Sequence, residues 1–95
     1  MRTLPKSVRI GAQTYTVIAD PNLAAEDDCF GQRNSRRLTI SIDSGAHEDR
    51  QAQTLMHEAL EAANHEYHVK LTHDQIEQLE CAVFALLRDN PGVFG

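Results

Sequence analysis

Long apolar runs are absent from this sequence: no stretch approaches the ~20 residues that a helix needs to cross a bilayer. The opening residues, Met1-Arg2-Thr3-Leu4-Pro5, also lack the apolar core of a secretory leader. No membrane partner is expected. Cysteine is scarce, with only Cys29 and Cys81 far apart in the chain, so two free thiols in a reducing compartment are expected, with one disulfide as the alternative. Basic residues are in the minority: 9 Lys and Arg stand against 14 Asp and Glu, a net charge of −5. Nucleic-acid surfaces cluster Lys and Arg, so no nucleic-acid partner is expected, and the lone basic cluster, Arg33, Arg36 and Arg37, reads as a turn. Repeats and low-complexity tracts are missing too. The 95 residues suit one domain, 1–95, small enough for a bound metal to contribute usefully to its stability. A cytoplasmic protein is expected.

The segments that are present alternate. Val8 and Ile10 exchange with polar neighbours, Gly11 and Ala12 offer a turn, and Tyr15 and Val17 resume the pattern, which predicts a hairpin. From Asp20 to Asp28 the chain carries Pro21, Asn22 and the triplet Glu26-Asp27-Asp28, read as a solvated connection. A short strand over Cys29-Phe30-Gly31-Gln32, a turn over Arg33-Asn34-Ser35-Arg36 and the alternation of Leu38, Ile40 and Ile42 predict a second hairpin. Asp43 or Ser44 is placed to cap the helix that follows. That helix is predicted from about His47 to about His68, with an apolar stripe of Ala52, Met56, Ala59, Leu60, Ala63 and Tyr67. Beside it runs a polar stripe of His57, Glu61, Asn64 and His68.

A second helix opens with a capping box, Thr72 with Gln75, and a hydrophobic staple, Leu71 with Ile76. Its apolar stripe is Ile76, Leu79, Val83, Leu86 and Leu87, and it stops at Asn90-Pro91-Gly92. The whole predicts an α+β fold: an N-terminal antiparallel sheet of about four short strands in two hairpins, followed by two packed helices.

Chemistry concentrates in Leu55-Met56-His57-Glu58-Ala59-Leu60-Glu61. Four residues apart on a helix, His57 and Glu61 share a face with Cβ atoms about 5–6 Å apart, a spacing that suits one metal ion. Glu58, roughly 100° around the axis, is placed to act on water as a general base. A zinc-hydrolase helix usually reads H-E-x-x-H, and Glu61 stands where the second histidine would. Zinc also accepts carboxylate, and a catalytic site needs three protein ligands, so a third is sought on the next helix, where His73 sits in the first turn. A helix N-terminus disfavours protonated imidazole, which suits a neutral, metal-bound His73. Glu77 and Glu80, one and two turns further on, are placed to replace His73 or to orient it. Glu80 falls inside the apolar stripe, where a carboxylate needs a partner or must snorkel to the edge. The plainer readings are an ordinary exposed helix face for His57 and Glu58, a surface carboxylate for Glu61 and a simple first-turn residue for His73. His65 and His68 read as surface residues, although they and Tyr67 are the candidates nearest to hand for an oxyanion donor; His47 has no assigned role.

With these residues, and with Asn64, Tyr67, Leu71-Thr72-His73 and the closing Leu87-Arg88-Asp89-Asn90-Pro91, the chain resembles the small metallopeptidases of phages and prophages related to the ImmA/IrrE class. In many of these the first helix reads H-E-x-x-H and the next begins with an acidic residue, so Glu61 and His73 look like that pair exchanged. The resemblance implies a minimal zincin-like fold and a zinc-dependent peptidase, a Zn2+ ion or another divalent metal on His57, Glu61 and His73, Glu58 as general base, a peptide or protein substrate, and a setting in the bacterial cytoplasm. The competing expectation is a non-catalytic phage accessory or binding protein on the same fold.

Overall fold

The computed structural model describes residues 4–23 and 30–94. Four strands, β1 (Ser7–Ile10), β2 (Gln13–Asp20), β3 (Gly31–Asn34) and β4 (Thr39–Asp43), precede two helices, α1 (Glu48–Glu66) and α2 (His73–Asp89). The expected α+β layout with strands first is the one observed. The acidic triplet Glu26-Asp27-Asp28 and Cys29 lie outside the described residues; Cys81 is an exposed thiol. Among the described residues no helix is long and apolar enough to cross a membrane.

Both hairpins form, β1 with β2 and β3 with β4, each antiparallel. They do not continue as a simple meander: the order is β1-β2-β4-β3, and β2 pairs with β4 in parallel, Val17 opposite Ile40. The sheet is therefore mixed rather than wholly antiparallel. Burial explains the order. β4 carries the fully buried Ile40 and Ile42 and takes a central place, whereas β3, Gly-Gln-Arg-Asn, buries no side chain completely and goes to the edge. By these pairings β1 and β3 run one way and β2 and β4 the other.

The core lies between sheet and α1: Tyr15, Ile40, Ile42 and Ala62 are buried, and Val17, Leu55, Ala59 and Ala63 pack around them. The helix face on the sheet is thus Leu55, Ala59, Ala62 and Ala63. This is rotated from the expected stripe, because small alanines bring the helix axis close to the sheet while Met56 turns toward α2, beside Phe84 and Leu87. Tyr67 is mostly exposed, its ring near Gly11 at the β1–β2 turn.

Helix caps differ from expectation at one end. The N-cap of α1 is His47, whose Nδ1 accepts from the Asp49 amide at 3.1 Å. Asp43 is 6% exposed and uses its Oδ1 to accept from the Gly45 amide, so it closes the turn after β4 instead of capping the helix. At α2 the expected box is present, Thr72 Oγ1 accepting from the Gln75 amide and Gln75 Oε1 from the Thr72 amide. The apolar stripe expected for α2 is only partly covered. Ile76 is buried, but Leu79, Leu86 and Leu87 are 41%, 47% and 39% exposed, because α2 packs on α1 and has no extensive contact with the sheet.

Gly31 sets how closely the edge strand approaches α1. A Cβ there would lie 2.5 Å from Thr54 Cγ2 and 3.3 Å from Glu58 Cγ, distances that force a β-branched side chain to move. Gly31→Ala is expected to cost about 1–3 kcal/mol of stability by overpacking, with part of the loss recovered when Thr54→Ala is added. Urea unfolding of the single and double variants checks this, and an unchanged midpoint in Gly31→Ala would refute close packing at this strand.

Candidate metal centre beside the edge strand

His57 and Glu61 project from successive turns of α1, and the link over residues 67–72 delivers His73 beside them. The link is held by Asn64, whose Oδ1 accepts from the Leu71 amide at 2.8 Å and whose Nδ2 donates to the Leu71 carbonyl at 3.3 Å. Two residues of the link, His68 and Lys70, take left-handed backbone angles, φ 54° and 67°. Such angles are unfavourable for these residue types and persist where surrounding bonds over-determine them. Together with the capping box, the Asn64 clamp fixes where the first turn of α2 begins.

The result is a triangle of potential ligands. One atom each from His57, Glu61 and His73 lies within 4.8 Å of the other two. The rings of His57 and His73 meet edge to face, centroids 5.4 Å apart. Which ring atoms face inward follows from their hydrogen bonds. His57 Nδ1 is 2.6 Å from Glu80 Oε1, and the other Glu80 oxygen accepts from Gln53 Nε2 at 2.8 Å. A ring N–H donating to Glu80 leaves His57 Nε2 with its lone pair available. His73 Nε2 stands 3.0 Å from Glu77 Oε1, its i+4 neighbour, which leaves Nδ1 facing Glu61 Oε1 at 3.6 Å. α2 thus supplies one histidine and a carboxylate behind each of the two. Hydrogen bonding of this kind orients metal-ligating imidazoles and raises their basicity.

Glu61 gives the test of fit. Its Oε1 is buried, makes no hydrogen bond, and points at a ring nitrogen whose partner nitrogen is already engaged. A buried carboxylate oxygen without a donor is costly, and a cation satisfies it. The donor set of two imidazoles and one carboxylate suits a divalent transition metal. These three residues form a group that could hold a metal ion.

Glu58 lines the same cleft, of about 600 Å3, with Arg33 and Arg37 on the side of the edge strand. Burial pushes its carboxyl above the ordinary glutamate value; Glu61 and Glu80 push the same way, and His57 and Arg33 oppose them. A smaller cavity of about 320 Å3, bordered by Phe30, Arg50 and Gln53, shares Gly31, His57 and Glu58 with the first. The two cavities therefore meet at the candidate base. His65, Tyr67 and His68 lie at the far end of α1 and do not line either cavity. Gln53 and Arg33 were not singled out by the motif. Glu80 did leave a trace in the sequence, a carboxylate within an apolar stripe, and His57 is the partner it required.

Compared with family models, curated proteins and solved structures, the chain matches none of them. What fold and site define is a small α+β domain carrying a possible metal-binding His-Glu-His group.

Two outcomes are expected. Glu80→Gln weakens metal binding about 10–100-fold, read by competition with a chromophoric chelator, because His57 loses the charge behind it. In metal-free protein Glu58 contributes stability that is fully present below its unfolded-state value and is lost as pH rises through its raised folded-state value. Glu58→Gln, uncharged throughout, should therefore gain stability relative to wild type as pH rises past that point, checked by denaturant titrations in chelator from pH 4 to pH 8.

Proposed function

We propose that the chain is a zinc-dependent peptidase in which His57, Glu61 and His73 hold the ion and Glu58 is the general base. The observation that carries this reading is the Glu61 oxygen, buried without a donor between two histidines that are each backed by a carboxylate. When bound, a zinc ion supplies Lewis acidity toward a carbonyl oxygen and makes water more acidic. Glu58, desolvated within the same cleft, accepts a proton from the attacking water. As the water oxygen adds to the carbonyl carbon and the C–N bond breaks, Glu58 returns that proton to the leaving amine and ends the cycle ionised. A raised carboxyl value suits a group that must both take and give a proton near neutrality.

A peptide substrate is supported by the open edge of β3. The Phe30 carbonyl accepts from the Asp43 amide, so by antiparallel alternation Gln32 and Asn34 turn their main-chain groups toward β4, whereas Gly31 and Arg33 turn theirs outward. An extended peptide can pair with those outward groups as an added strand, with its backbone running past Glu58. The resemblance to phage and prophage peptidases supports the same substrate class and a setting inside a bacterial cell.

The test is metal content and turnover together. Wild type purified without chelator should carry about one zinc per chain, His57→Ala/His73→Ala should lose it, and Glu58→Gln should keep it while cleaving susceptible peptides about 10²–10⁴-fold more slowly. Wild type that takes up no zinc overturns the reading. Zinc retained with no cleavage across peptide libraries leaves the alternative of a non-catalytic binding protein.

A further inference from the structure

The chain is acidic, with a net charge of −5, yet two arginines line the cleft that holds the candidate metal group. Arg33 and Arg37 both line it. The placement follows from the strand and its turn. Arg33 pairs with Ile40 across β3 and β4, so its side chain leaves the sheet on the side that carries the core, toward α1. There it acts on the Tyr15 hydroxyl and on Glu58. Arg37 lies in the turn that follows, where Asn34 Oδ1 accepts from the amides of both Arg36 and Arg37, at 3.0 and 2.9 Å. Its backbone is therefore held, and its guanidinium has no carboxylate partner among the described residues, unlike Arg88, which pairs with Asp89 at 2.9 Å.

Two guanidiniums lining one cleft repel each other, and a protein with an excess of acids had carboxylates available to neutralise them. None of the described residues does so for Arg37. Guanidinium is also the side chain best matched to a carboxylate, through paired N–H donors. On the strand path proposed above, a peptide that passes Glu58 toward the β3–β4 turn brings its side chains or its carboxyl end toward these arginines.

We propose that Arg33 and Arg37 form a carboxylate-binding subsite, which makes acidic peptides the substrate class of the cleft. The proposal rests on the reading of β3 as the peptide-binding edge. The carboxylate is either an Asp or Glu side chain or a free C-terminus, and both present the same chemistry to the two arginines.

The test measures binding and cleavage separately on the same samples. Zinc-loaded, 15N-labelled full chain is titrated with three blocked peptides, N-acetylated and C-amidated, that differ only in a Glu, Gln or Lys at one position, scanned along the peptide. A fourth peptide, neutral in its side chains, keeps a free C-terminal carboxyl. Dissociation constants come from amide and arginine Nε–H shifts, and cleavage is followed by mass spectrometry. The expected result is at least tenfold tighter binding of the Glu or the free-carboxyl peptide than of the Lys peptide, with shifts at Arg33 and Arg37. The preference should reverse in Arg37→Glu, whose circular dichroism and zinc content remain those of wild type. A gain confined to the Glu peptide identifies a side-chain carboxylate, and a gain confined to the free-carboxyl peptide identifies a terminal one. Equal affinity for all four peptides, no binding of any, or an unchanged preference in Arg37→Glu overturns the subsite. Acid preference without cleavage keeps the subsite and removes the peptidase, whereas cleavage without acid preference does the reverse.

Discussion

The contact between His57 and Glu80 is the constraint on which the rest of the molecule turns. α2 has little apolar area committed to the fold: Ile76 is buried, but much of the stripe beyond it faces solvent. A helix so lightly packed needs another reason to sit in one register on α1. Glu80 provides it, because its side chain is only 13% exposed and both its oxygens are engaged, one by His57 and one by Gln53. Removing a carboxylate from water is costly unless its hydrogen bonds are replaced, so the helix pairing that satisfies Glu80 is favoured over its neighbours by more than its apolar contacts alone. The same register brings His73 to Glu61. Packing and the assembly of His57, Glu61 and His73 go together, because all three are brought together by the geometry that satisfies a half-hidden carboxylate.

The sheet contributes through a different constraint, the narrow gap between β3 and α1. With a side chain at position 31 the edge strand would be held off Thr54 and Glu58. The glycine brings the strand against the helix beside Glu58, whose carboxyl is held above the ordinary value by burial. It also places the outward main-chain groups of the edge beside His57 and Glu58. The fold thus places a desolvated acid, two oriented imidazoles and an unpaired carboxylate oxygen along one open strand edge.

Much of this was legible residue by residue. The alternation of Val8, Ile10, Tyr15 and Val17 marked the first hairpin, Ile40 and Ile42 the buried strand of the second, and Thr72 with Gln75 the start of α2. The group His57, Glu61 and His73 could be assembled from helical spacing and a cap, since both are local rules, and those three residues do come together. Errors arose where local rules compete with packing. Asp43 is as good a capping residue as any, but burial at the end of β4 commits it to its own turn, and His47 takes the cap. Leu79 and Leu86 have helical apolar spacing, but periodicity does not reveal whether a second layer lies above it.

By itself, then, the sequence determined the element types, the two hairpins and the spacing of the candidate ligands, because each depends on residues close together in the chain. Tertiary structure alone decided the rest: that β4 inserts beside β2 and leaves β3 on the edge, that Glu80 reaches His57 across 23 positions, and that Arg33 and Arg37 face the cleft. Burial of Ile40 and Ile42 selects the strand order, and the cost of an unpaired carboxylate selects the helix register. Neither quantity exists until distant parts of the chain compete for the same space.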